Sequence, residues 1–336
     1  MKGSRVNHRF DASKPMQVGG QAVIEGVMMR GPGMIATAVR RSNGTIAVKK
    51  ERYVSLAEKN RLLKLPLLRG AVGLIEMMVI GVRSLNFSAE IAMEDASGTN
   101  GPRTMVKKPV HEKLGLALIV AFSLAAGIAI FCITPLFVTT TRFSVGQDPL
   151  RFNLIAGGIR IVLLMGYLIV MSMLKDIRRL FQYHGGEHKA VFAFEAGESL
   201  NVPVAERQSR FHPRCGTSFL LIVMLVAIVS FALLDAVLIR FLGTITIGIR
   251  LATHLPLIPL VGGISYEFIK ASAKRSTSTL GRIVVAPGLW LQRITTKEPD
   301  REQLEVALVA LRCALGEEYH STATAEVLSS QAISVN

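Results

Sequence analysis

Two short clusters of potential metal ligands lie within one polar stretch of the chain. The first reads His-Gly-Gly-Glu-His over 184–188, and in the second His212 stands three residues before Cys215. His184 and His188 are four residues apart, so they share one face if the segment is helical. With a glutamate before the second histidine, this is the inverted zincin pattern, in which the histidines bind zinc and the glutamate accepts a proton from water. The sequence therefore predicts a divalent metal site, with zinc as the metal and Glu187 as the general base.

Different geometries of this site predict different functions. A closed tetrahedral site would be structural, whereas three ligands and a water molecule would permit hydrolysis. The closed site would use all four of the ligands His184, His188, His212 and Cys215. Each glycine in the first cluster disfavours a helix by about 1 kcal/mol relative to alanine. A metal-free cluster whose polar groups contact lipid headgroups is therefore a third alternative.

Composition limits the class of protein. The chain has 336 residues, a formal net charge of +15 and 50% hydrophobic residues. A disordered chain is excluded because such chains are poor in apolar residues. Three cysteines are too few to staple a secreted domain of this size. Nucleic acid is not an expected partner, because the basic residues form no patch interleaved with aromatic residues.

Four segments are apolar enough to cross a bilayer, which needs about 20 apolar helical residues. We expect the fourth helix to be broken, since it contains Pro256 and Pro259. Arg160 in the second segment and Asp235 in the third would lie at one depth in antiparallel neighbours, which predicts an ion pair between them. Glu267 lies near the inner end of the fourth segment, on the side of the His clusters, and is a further candidate metal ligand. The alternative is that Glu267 forms an ion pair with a nearby Lys or Arg. The segments are 114–138, 152–174, 218–239 and 251–269.

The distribution of Lys and Arg predicts the orientation of these spans. Residues 175–217, between the second and third spans, carry seven basic residues, whereas residues 139–151 carry two. Basic loops stay on the cytoplasmic side. Both termini and the loop with the His clusters are therefore predicted to be cytoplasmic, in a multi-pass protein of the plasma (inner) membrane. The lipid bilayer is its expected partner, and the excess positive charge suits anionic lipids.

The predicted fold class is a polytopic α-helical membrane protein of about four transmembrane helices with a small cytoplasmic β-containing N-terminal domain. Asn43-Gly44 between two alternating apolar runs indicates a β-hairpin. Residues 62–85 are apolar but charged at intervals, which favours a helix lying on the membrane, although a further span stays open. The organisation is a β-rich unit over 1–60, an interfacial amphipathic helix over 61–94, a linker over 95–113, two spans over 114–174, the cluster loop over 175–217, two spans over 218–269, a C-terminal segment with a helix over 270–320, and a disordered tail over 321–336.

Several longer strings resemble the YqhQ-like bacterial membrane proteins. They are GGQAVIEGVMMRGP over 19–32, YHGGEHK over 183–189, HPRCGTSF over 212–219, SYE over 265–267 and TTKEPD over 295–300. That family is a domain of unknown function whose members are often labelled predicted metal-dependent enzymes. The resemblance covers about residues 16–316 and implies a bacterial membrane protein, but no particular reaction. The family commonly has alanine where this chain has Gly186.

The first hypothesis for function is a zinc-type hydrolase at the cytoplasmic membrane face, acting on a lipid or another membrane-delivered substrate. The alternative is a non-enzymatic scaffold or regulator, in which the His/Cys cluster is a structural metal site or metal-free. A small transporter is the second alternative, because the fourth span is expected to be broken and contains ionisable residues. A homo-oligomer would then supply further spans.

Overall fold

The computed structural model describes residues 18–56, 62–97, 110–273, 279–319 and 327–329. These residues form two parts, which we name the sheet unit and the helical bundle. Residues 1–17 and most of the expected linker and C-terminal tail lie outside the described ranges.

The sheet unit contains four consecutive antiparallel strands, which confirms the β-containing N-terminal part. The turn at Asn43-Gly44 joins the third and fourth strands, and Gly44 takes the positive φ that such a turn requires. A short fifth strand pairs in parallel with the fourth and lies within 321–336, so the prediction of disorder is wrong for these three residues. The strands are β1 (Gly19–Val23), β2 (Gly26–Gly31), β3 (Met34–Arg40), β4 (Ile46–Arg52) and β5 (Val327–Ser329), in that order across the sheet.

Helices cover both faces of this sheet. Helix α1 (Leu68–Ser97) packs one side against the face that includes Met28, because alternate residues of a strand point to opposite faces. The other face, which includes Met29, packs against two later helices and forms the larger core. These helices are separated from the strands by more than a hundred residues, so this core forms only when distant parts of the chain pack together.

The helical bundle contains four helices that are long and apolar enough to cross a membrane, which confirms the four predicted apolar segments. The first consists of three consecutive helical parts, which are α2 (Val110–Ile128), a π-helical turn (Ala129–Ile133) and α3 (Thr134–Arg142). A further helix, α9, was not anticipated from the sequence. The remaining helices are α4 (Pro149–Met173), α5 (Lys175–Glu195), α6 (Val202–Arg207), α7 (Gly216–Leu242), α8 (Ile247–Ala273), α9 (Thr279–Thr295) and α10 (Arg301–Ala314).

Helix α8 is continuous, so the expected break in the fourth span is wrong. Pro256 and Pro259 both lie inside the helix. A proline removes a single backbone hydrogen bond, and apolar spans tolerate it where neighbouring helices pack closely. Close packing is present here, since Gly263 lies against the backbone of Leu67 at the start of α1.

The expected ion pair between Arg160 and Asp235 is also wrong. Arg160 donates from Nε to the carbonyl of Phe131, 3.0 Å away in the π turn. Asp235 instead accepts from Arg250 Nε at 2.9 Å and from two further residues of α4 and α8, at 2.8 and 3.0 Å. The sequence predicts depth along a span, but the rotation of each helix decides which side chains meet. We call the resulting group the Asp235 cluster: Asn153, Asp235, Arg250 and His254.

Candidate metal centre

Helix α5 passes without interruption through both glycines of the first cluster, and this places His184 and His188 side by side. Their ring centroids lie 4.5 Å apart. Gly185 is required by packing, because a Cβ there would overlap the carbonyl oxygen of Lys297. The amide of Lys297 also donates to the carbonyl of Phe181 at 2.8 Å. The glycine therefore lets the segment after α9 lie directly against α5.

Both imidazoles are oriented by backbone carbonyls. His184 Nδ1 lies 2.8 Å from the carbonyl oxygen of Thr295, and His188 Nδ1 lies 2.6 Å from that of Arg210. A carbonyl only accepts hydrogen bonds, so each ring donates from Nδ1 and keeps a lone pair on Nε2. Metal-binding histidines in proteins are held in this way.

Cys215 completes a three-ligand group. It is the N-cap of α7, and its Sγ lies 3.3 Å from His184 Nε2. The ligand atoms of His184, His188 and Cys215 all lie within 4.8 Å of one another. Tetrahedral zinc, with bonds of about 2.0 Å to nitrogen and about 2.3 Å to sulfur, separates these atoms by about 3.5 Å. The residues thus fit a zinc ion, and three ligands leave a fourth position; we call this group the His-His-Cys site.

Glu187 lies beside this site. Its Oε2 is 3.5 Å from His188 Nε2, and its side chain is only 8% exposed. The side chain also packs on β1, since a Cβ at Gly20 would come within 2.9 Å of Glu187 Cγ. A carboxylate so placed can accept a proton from a water molecule at the site.

The structure does not bring His212 into the ligand group. Its ring centroid is 5.7 Å from that of His188, but both nitrogens face other groups. Nδ1 accepts from the amide of Arg214 at 3.3 Å, and Nε2 faces Glu195 at 3.4 Å. Burial lowers the pKa of His212 from its usual 6.5, and the opposing effect of Glu187 is smaller. The imidazole is therefore expected to be neutral at pH 7.

Glu267 likewise lies apart from the His-His-Cys site. Its carboxylate accepts two hydrogen bonds from Arg69, at 2.6 and 2.5 Å. This pair joins the beginning of α1 to α8. The alternative of a basic partner for Glu267 is therefore the one observed, although that partner comes from a different part of the chain than expected.

The turn between β1 and β2 holds α5 in place. Glu25, at a positive φ of 51°, forms a bidentate ion pair with Arg179 and accepts from the hydroxyl of Tyr183 at 3.2 Å. The hydrogen bonds to Glu25 raise the pKa of Arg179, and burial together with Glu25 raises the pKa of Tyr183. Both groups therefore keep their protons at neutral pH, and the helix carrying the two histidines is fixed to the sheet.

Basic side chains also lie near the segment that follows α9. Burial lowers the pKa of Lys297, and the nearby charges of Arg210 and Arg178 lower it further. Lys189 is buried and pairs with Glu298 at 2.5 Å. The segment that orients His184 is thus also held by charge.

Sequence reasoning missed the groups that orient the ligands. The carbonyls of Thr295 and Arg210 are backbone groups, which any residue type supplies, so residue identity gave no signal. Gln292 was also missed; it bonds both the amide and the carbonyl of His212, each at 2.8 Å. It lies on α9, whose existence was not anticipated.

The fold and the site define a protein with four helices able to cross a membrane and a candidate metal centre where these helices meet a small sheet unit. The family described as "Protein of unknown function (DUF1385)" matches residues 65–317, and the chain belongs to this family. The "Uncharacterized protein YqhQ" of Bacillus subtilis (strain 168) is 35% identical over 299 residues, which cover 88% of this chain and 91% of that protein. The YqhQ-like resemblance is thereby confirmed. No solved structure matches the chain.

Proposed function

We propose that this chain is a metal-dependent hydrolase of the bacterial plasma membrane, with zinc held by the His-His-Cys site. One observation carries the proposal. Both histidines donate from Nδ1 to a backbone carbonyl, and one ligand atom of each histidine and the Cys215 sulfur all lie within 4.8 Å of one another. The donor set of two imidazoles and one thiolate suits zinc, and three protein ligands are typical of catalytic sites.

The site belongs, in this proposal, at the cytoplasmic face of the membrane. Helix α5 follows α4 directly, with only Leu174 between the two helices. At a rise of about 1.5 Å per helical residue, His184 lies about 14 Å along α5 from Lys175, the first residue of that helix. Cys215 stands directly before α7. The basic residues of 175–217 support the cytoplasmic side.

In the proposed hydrolysis, the metal ligands and Glu187 have different roles. A zinc ion bound here would acidify a water molecule and polarise the bond to be cleaved. Glu187 accepts the proton of that water and passes it to the leaving group. Because Glu187 and His188 are both buried, bulk water is largely excluded from the reacting atoms.

The other hypotheses have less support. The closed structural site predicted from the sequence requires His212 as its fourth ligand, and His212 is engaged by Arg214 and Glu195. The transporter hypothesis depended on a broken fourth span, and α8 is continuous. A three-ligand site with an adjacent carboxylate favours hydrolysis.

Metal content is the first test. We expect the purified protein to bind about one zinc ion per chain. His184→Ala, His188→Ala and Cys215→Ser should each weaken zinc binding at least about 100-fold, since even groups beyond the ligands change affinity roughly 10- to 100-fold. Elemental analysis and competition with a chelator measure this.

The matched controls are Cys313→Ser and Glu267→Gln. Cys313 is a buried cysteine of α10, and Glu267 is bound to Arg69, so neither change should alter zinc content. Zinc retained in full by Cys215→Ser, or absent from the unaltered protein, would contradict the proposal.

Glu187→Gln separates catalysis from metal binding. This variant should keep its zinc but hydrolyse at least about 100-fold more slowly, because a general base typically contributes a factor of roughly 10² to 10⁴. The measurement is turnover of whichever probe the unaltered protein cleaves among a fluorogenic ester, a phosphodiester and an unfolded polypeptide. Glu198→Gln, which changes an exposed carboxylate further along the chain, is the control and should keep full activity. Equal rates in the two variants would remove Glu187 from the mechanism.

A further inference from the structure

Strand β1 forms one edge of the sheet, next to the His-His-Cys site. The opposite edge, at β4, is covered by β5, whereas no described strand pairs with the outer side of β1. Residues 19–22 are all partly exposed. An edge strand of this kind presents backbone donors and acceptors to which an extended chain can bind.

The pairing of the sheet identifies which groups of β1 face outward. The amide of Arg40 donates to the carbonyl of Glu25 at 2.8 Å. Along an antiparallel strand, alternate residues bond to the neighbouring strands on opposite sides, so this bond shows which residues of β2 bond to β3 and which bond to β1. By this alternation Val23 exchanges its hydrogen bonds with β2. Ala22 and Gly20 therefore turn their N–H and C=O groups away from the sheet.

Strand β1 also contacts the proposed general base. Gly20 contacts Glu187, whose carboxylate is 3.5 Å from His188 Nε2. A paired strand would lie about 5 Å from β1. Gly19 and Gly20 carry no side chains, and a Cβ at Gly19 would meet nothing within 4 Å. Because neither residue carries a side chain, no side chain of these two positions obstructs a second backbone that approaches this end of the strand.

We propose that the substrate is a polypeptide, bound in extended form as an additional strand along β1. This inference rests on the proposed hydrolase function. Strand addition takes its affinity from repeated main-chain hydrogen bonds, which a lipid headgroup cannot supply. It therefore favours a peptide bond over a lipid ester as the bond that is cleaved.

The reaction is the hydrolysis of an amide. The oxygen of a water molecule bonds to the peptide carbonyl carbon, and Glu187 takes the proton that this water loses. The bond between carbon and nitrogen then breaks, and Glu187 delivers the proton to the leaving amine. The first products are a carboxylic acid and an amine, which become a carboxylate and an ammonium group once the acid's proton passes to the amine, and no redox partner is needed.

Ala22→Pro tests the edge specifically. Proline removes the outward N–H of residue 22 but no hydrogen bond between β1 and β2, and edge strands tolerate it there. With β-casein as the probe, we expect kcat/KM to fall at least about 10-fold in Ala22→Pro and to stay unchanged in Ala22→Ser, which keeps the N–H. Zinc content and hydrolysis of a fluorogenic ester should be equal in both variants, and Glu187→Gln controls for contaminating proteases.

The outcomes separate this inference from the proposed function. Two results would overturn the peptide inference alone, provided that ester hydrolysis still depends on Glu187. One is the absence of casein cleavage, and the other is equal casein cleavage by Ala22→Pro and Ala22→Ser. Absence of zinc and of all hydrolysis would overturn the function as well.

A photo-crosslinking residue at position 19 provides a second measurement should Ala22→Pro fail to fold. An adduct of the full-length chain with β-casein would support the proposal. An adduct with residues 1–17 of the same chain would show that the edge serves the protein's own N-terminal segment, and would overturn it.

Discussion

Gly185→Ala is expected to lower the free energy of unfolding by about 3 kcal/mol and to abolish zinc binding. An added methyl group in a packed interior typically costs about 1–3 kcal/mol, and here the obstacle is a backbone oxygen, that of Lys297, which cannot rotate away. Relief requires the segment after α9 to move off α5. That movement would carry the carbonyl of Thr295 away from His184 and free its imidazole to rotate. Thermal unfolding followed by circular dichroism and zinc content measure the two effects.

Gly186→Ala is the matched control, one residue along the same helix. A Cβ there would lie 3.6 Å from the carbonyl oxygen of Gln303, an ordinary contact. Alanine should stabilise the helix by up to about 1 kcal/mol and leave zinc bound. If the two variants behave alike, the close approach at Gly185 does not position the site.

Asp235→Ala should be the most destabilising change within the bundle. Arg250 is 1% exposed, and removing its carboxylate partner leaves a buried charge without compensation. Breaking a buried ion pair in this way costs about 3–5 kcal/mol. His254, whose Nε2 is 3.0 Å from the same carboxylate, would lose its partner too. Thermal unfolding in detergent is the measurement.

Two comparisons make this result specific. Glu206→Ala removes an ion pair with Arg301 at the protein surface, where solvent screens the charges, and should change the stability little. Adding Arg250→Met to Asp235→Ala should restore much of the lost stability, because the unpaired charge is then gone. A loss in Asp235→Ala as small as that in Glu206→Ala would mean that the cluster does not hold the bundle together.

Structural elements that depend on a single segment of the chain were predictable from the sequence. The four apolar helices follow from runs of about 20 apolar residues, and the β3–β4 hairpin follows from the turn at Asn43-Gly44. Helix α8 departs from expectation because two prolines predict a break only when no neighbour supports the backbone. The helices that cover the two faces of the sheet come from chain segments far apart in sequence. No local sequence pattern predicts that these segments pack together.

The candidate site was predictable to the extent that residue types determine it. Spacing brings His184 and His188 together because α5 is helical. His212 and Cys215 are three residues apart, yet only Cys215 joins the histidines, since Gln292 and Arg214 fix the orientation around His212. Glu267 had the right residue type, but its partner depended on where α1 begins. Rotation and backbone contacts therefore decide which candidates meet.

The pairing of His184 with Thr295 has a consequence for how the protein is made. The two residues are 111 positions apart, and both the fourth span and α9 lie between them. At synthesis rates of about 5–20 residues per second, the ribosome needs roughly 5 to 20 seconds to reach the second after the first. During that interval the nascent histidine lacks the carbonyl that orients it. We therefore expect the metal to be acquired only after synthesis has passed Thr295 at the end of α9, so that a chain ending earlier lacks the complete His-His-Cys site.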